Sequence, residues 1–89
     1  LTASTRKEEL LAGVRANVSW AIREAEGLRE DLRAASEADR IIYAGRVLGG
    51  ILLRCGPREV AALGKRSITI DDLGDAVMSG VRDACGLLQ

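Results

Sequence analysis

Residues 5–35 read TRKEELLAGVRANVSWAIREAEGLREDLRAA. No proline interrupts them, and apolar residues recur at Leu11, Val14, Val18, Ala21, Ala25, Leu28, Leu32 and Ala35 in alternating steps of three and four. That period belongs to a helix with one apolar seam, packed against another helix with a gentle supercoil. Arg15, Arg23, Glu24, Glu26, Arg29, Glu30 and Arg33 fall between the seam positions and suit a solvated face. Thr5 followed by Glu8 forms a capping box that would start the helix. The stretch predicts one helix of about 30 residues, about 45 Å long at 1.5 Å per residue.

Continuing the seam past Ala35 would bury Asp39 and Arg46, so a break is expected near Ser36, which is placed to cap a second helix over about 37–55. Ile41, Ile42, Val47, Leu48, Ile51, Leu52 and Leu53 wrap most of its circumference, which predicts a helix surrounded by protein. Gly56-Pro57 ends it and opens a short helix that Gly64 should stop. The last helix has the fullest signals. Thr69 is its cap, with Asp72 three residues on. Ile68 can pack on Leu73 as a hydrophobic staple, and Asp71 and Asp72 suit the positive end of the dipole. Leu73, Ala76, Val77, Val81 and Ala84 form its apolar face, and it should fade near Gly86. Nothing of strand length alternates. The expected fold is all-α: a small helical bundle or hairpin with one long amphipathic helix, in a single domain spanning 1–89, completed by oligomerisation.

Size and composition narrow the function. A chain of 89 residues buries only roughly 60–65% of its unfolded surface, so a lone monomer is marginally stable. Thirteen basic residues balance thirteen acidic ones, which argues against duplex DNA or an anionic membrane as partner. The only aromatics are Trp20 and Tyr43, too few to stack bases. The apolar run from Ile41 to Leu53 is too short to span a bilayer. Leu1 to Glu9 carries no signal-peptide pattern, and a cytoplasmic location is expected.

Chemistry-bearing residues do not assemble. There is no His, and Cys55 and Cys85 match no zinc spacing; both are expected as reduced packing residues. Asp71, Asp72 and Asp75 lack the spacing and glycine of a calcium loop. Gly49-Gly50 is not followed by the Lys-Ser or Lys-Thr of a phosphate loop. The chain is therefore expected to be no enzyme and to hold no cofactor and no metal.

Arg58-Glu59-Val60-Ala61-Ala62-Leu63-Gly64 followed by Ser67-Ile68-Thr69-Ile70 resembles the helix-turn-helix of bacterial regulators. The resemblance covers about twenty residues and implies that the helix entered at Thr69 reads the major groove. Asp71, Asp72 and Asp75 would put negative charge where phosphates should lie, so a small DNA-binding regulator is the second expectation. The first is a non-enzymatic interaction or assembly module that self-associates or docks on a helical partner. Its interface is expected along Leu11, Val14, Val18, Ala21, Ala25, Leu28 and Leu32 of the first helix, and at Gly45, Leu48, Gly49 and Leu52 of the second. Gly45 and Gly49, one helical turn apart, would let another backbone approach closely.

Overall fold

A computed structural model describes residues 3–87, with side chains from Arg6 onward. Five helices follow in order: α1 (Ala3–Glu24), α2 (Leu28–Ala34), α3 (Glu37–Arg54), α4 (Pro57–Lys65) and α5 (Ile70–Ala84). The fold is all-α, and no strand occurs among the described residues.

The last helix is the hub. Leu73, Ala76, Val77, Gly80, Val81 and Ala84 are buried along α5, and α1 and α3 both lie against it. Helix α1 runs parallel to α5, as Lys7 pairs with Asp72 near one end and Arg23 with Asp83 near the other. Helix α3 runs antiparallel, since its first residue, Glu37, pairs with Arg82 while Leu48 lies beside Gly74. The start of α5 follows the sequence closely. Thr69 Oγ1 accepts from the Asp72 amide at 3.0 Å, Asp72 Oδ2 accepts from the Thr69 amide at 2.9 Å, and Ile68 and Leu73 are both buried.

The long first helix is divided. Helix α1 ends at Glu24, and Gly27, with φ 78°, turns the chain into the separate seven-residue α2. The core explains the break. A continuous helix of about 45 Å would overshoot a molecule whose longest extent is 38 Å and carry Leu28 and Leu32 past the end of α5. The turn brings Leu32 into the core with Leu28 packed beside it, and Arg29 Nε donates to the Ala84 carbonyl at 2.8 Å. The seam is also corrected within α1. It passes from Val18 to Ile22, which is 1% exposed, while Ala21 and Ala25 face solvent. The helix begins at Ala3, so Thr5 is not its cap residue; the Thr5 side chain lies outside the described residues.

Helix α3 starts at the expected cap, with Ser36 Oγ accepting from the Asp39 amide at 3.1 Å. Arg40 reaches back to donate to the Leu32 carbonyl at 3.0 Å, capping α2. Contrary to expectation, α3 is not surrounded by the chain's own protein, because the only buried residue in it is Ala44. Helix α4 also departs from its forecast. Gly64 does not stop it; it ends at Lys65, and Ser67 just beyond turns the chain at φ 60°, with the Ser67 and Ile68 amides donating to the carbonyls of Gly64 and Leu63 at 3.0 Å each. None of its residues is buried.

Candidate interaction surface

Two polar clusters join α1 to α5. Ser19, buried in α1, donates to Asp83 Oδ2 at 2.9 Å; Arg23 donates to the same oxygen at 3.0 Å and to Ser19 Oγ, and Arg15 lies 3.8 Å from Oδ1. With the hydroxyl buried and both carboxylate oxygens engaged by cations, the cluster ties α1 to α5 and offers no open nucleophile. Asp72 is committed to its cap and to Lys7 at 3.1 Å; the Thr69 amide and Lys7 hold its carboxyl below the ordinary range. No group of three potential metal ligands comes together among the described residues. Both thiols are free, and Cys85 is enclosed in the core, where burial pushes its pKa up.

The residues expected at an interface separate into two sets. Val18 and Leu32 are buried inside this chain, and Leu11, Val14 and Leu28 are half-buried, the last two against the core. Packing on α5 thus consumes most of the seam. Ala21 and Ala25 stay exposed; Ala21 lines an open groove of about 280 Å³ between α1 and α3, walled by Ile22, Tyr43, Val47 and Ile51. Gly45, Leu48, Gly49 and Leu52 lie together on α3 and are exposed or half-buried. A Cβ added at Gly45 or Gly49 would meet nothing within 4 Å. No close helix crossing occurs there within the chain. The close crossing is instead at Gly80, where a Cβ would come 2.7 Å from the Arg15 carbonyl oxygen and 2.8 Å from Val18 Cβ.

Helix α3 presents one uninterrupted apolar arc. At about 100° per residue, Ala38, Ile41, Ile42, Gly45, Leu48, Gly49, Leu52 and Leu53 share a sector about 140° wide that no charged residue enters. Ile41 is 54% exposed, Ile42 55% and Leu53 89%. At its inner edge the arc descends into an open groove of about 210 Å³, lined by Ile41, Ala44, Gly45 and Leu48 and by Gly74 and Met78 of α5. Along the outer edge stand Asp39 and Arg46, both exposed. Ile42, Leu53, Gly74 and Met78 were not among the residues expected to form an interface. The apolar content of α3 marks it as interesting, but which arc turns outward depends on where Ala44 meets α5.

Nothing in α4 is buried, and it has no packing comparable to that of α1 and α3 on α5. No described helix is long and apolar enough to cross a membrane. No protein-family model, curated protein or solved structure matches the chain.

Proposed function

We propose that this chain is a non-enzymatic helical interaction module whose working surface is the outer face of α3 with the groove beside it. One observation carries the reading: a charge-free arc runs the length of an 18-residue helix while Ile41, Ile42 and Leu53 on it stand in solvent. Burial of apolar surface contributes about 25 cal/mol per Å², so this face gains most from contact with an apolar helix. Open Cβ space at Gly45 and Gly49 allows that helix to lie close. The two free thiols suit a reducing compartment, and the proposal includes a cytoplasmic location.

The test is the intact mass of the complex recovered from the native cell, with the parent chain compared against the double variant Ile42→Glu, Leu53→Glu. Both side chains are exposed, so the fold should survive. The expected result is a stoichiometric companion, either another chain or a second copy, that the parent retains and the variant loses. Recovery of the parent as a bare monomer would sink the reading.

A further inference from the structure

The arc on α3 is wider than one helix covers. A single neighbour centred on Gly45 and Gly49 would reach Ile42 but leave the margins of the arc, Leu48 on one side and Leu53 on the other, only partly covered. Two helices side by side would cover the sector, and the chain itself carries such a pair in α3 and α5, with a groove between them. The outer edge is also charged in a way that matches α5. Arg46 is level with Asp75 along the α3–α5 pair, and Asp39 lies two residues, about 3 Å, from the level of Arg82, as fixed by the Leu48–Gly74 and Glu37–Arg82 neighbours. Asp75 is exposed, and none of the described ion pairs engages Asp39, Arg46 or Asp75.

Resting on the interaction-module reading, we infer that the occupant of this surface is a second copy of the chain. It lies with its α3 parallel to the first, about a two-fold axis along the pair. Each α3 then enters the groove between α3 and α5 of its partner, giving a four-helix bundle of two α3 and two α5 helices. Gly45 and Gly49 face their counterparts across the axis, where the absent side chains permit close approach. Ile42 fills the groove beside the partner's Met78, and Leu53 comes level with the partner's Ile70, itself 59% exposed. Arg46 meets the partner's Asp75, and Asp39 joins Glu37 around the partner's Arg82. An antiparallel pairing would bring the two grooves face to face and leave the outer edges uncovered by any α5. A foreign helix would have no reason to carry an acid and a base at these two levels.

The test is sedimentation equilibrium of the purified full chain at low salt, with charge reversals at two exposed positions. The parent should dimerise. Arg46→Glu and Asp75→Arg should each weaken the dimer about tenfold, since each turns two attractions into repulsions. The double variant should recover to near the parent affinity, because the pair is restored with its signs exchanged. Gly49→Ile should weaken the dimer while leaving the melt of the dilute monomer no lower than the parent's, which separates lost contact from lost folding. Single reversals without effect, or a double variant that stays weak, would overturn the arrangement. A parent that remains monomeric at every soluble concentration would overturn the second copy as occupant. The broader reading would still stand if the complex from the cell retained a different companion.

Discussion

Ser67 occupies the left-handed region in which a side chain crowds the following carbonyl, at a cost of about 1–2 kcal/mol for an L-residue. It does so because the chain must leave α4 and reach the Thr69 cap within a few residues, and this turn satisfies the carbonyls of Leu63 and Gly64. Glycine loses more freedom on folding, about 0.4–1 kcal/mol, so Ser67→Gly should be a net gain of about 0.5–1 kcal/mol. In a domain of this size that is a rise in Tm of about 2–8 °C, readable by circular dichroism. Two carboxylates tie stability to pH. Arg82 and then Arg40 hold the Glu37 carboxyl below its ordinary 4.5, and the Thr69 amide and then Lys7 hold Asp72 below 3.8. A lowered folded-state pKa contributes stability that is complete above the unfolded value and disappears as the pH falls through the folded one. The melting temperature should therefore be flat near neutrality and drop as the pH is taken below about 4, and Asp72→Asn should shrink the drop. An equal drop in parent and variant would remove Asp72 from that account.

At the scale of elements, the glycines divide into opposite classes that only the packed helices distinguish. Gly80→Ala would drive a methyl against the Arg15 carbonyl oxygen, which belongs to backbone and cannot swing aside. Overpacking of about 1–3 kcal/mol should exceed a helix-propensity gain of about 1 kcal/mol, and thermal melts should show a net loss. Gly45→Ala meets no neighbour and should keep the gain in dilute solution. A Gly80→Ala variant that melts no lower than the parent would mean that the α1–α5 crossing is misplaced. Helix starts at Ser36 and Thr69 were legible in the sequence, because capping is written in residues three apart. So was the buried face of α5, because one narrow apolar stripe admits one orientation. The division at Gly27 was not legible, since it depends on the length of α5, against which α1 lies. Ile22 was masked by its neighbour Ala21, which fits the strict heptad equally well. For α3, apolar residues on nearly every side hid which arc would turn outward. The sequence reading pointed to the glycine pair and to Leu48 and Leu52, which lie on that arc, but not to Ile42, Leu53 and the α5 wall of the groove.

In the whole molecule, stability is distributed unevenly around the α1–α5 contact. Val77, Val81, Ile22 and Cys85 are the most enclosed side chains, while α4 contributes none to the core. Amide hydrogen exchange should follow that pattern, with the second half of α5 exchanging only by global unfolding and α4 exchanging by local opening many times faster. Equal protection of α4 and α5 would mean that α4 is docked more firmly than its exposure indicates. The dominant contact also joins distant parts of the chain, with Ser19 and Asp83 separated by 64 positions. Helical bundles usually close through neighbours in sequence and fold quickly. Here the apolar stripe of α1 leaves the ribosome long before its cover has been made. At about 5–20 residues per second, Val18 and Ile22 wait roughly 3–13 s for α5. During that interval the stripe of α1 stands uncovered, open to a chaperone or a neighbouring nascent chain.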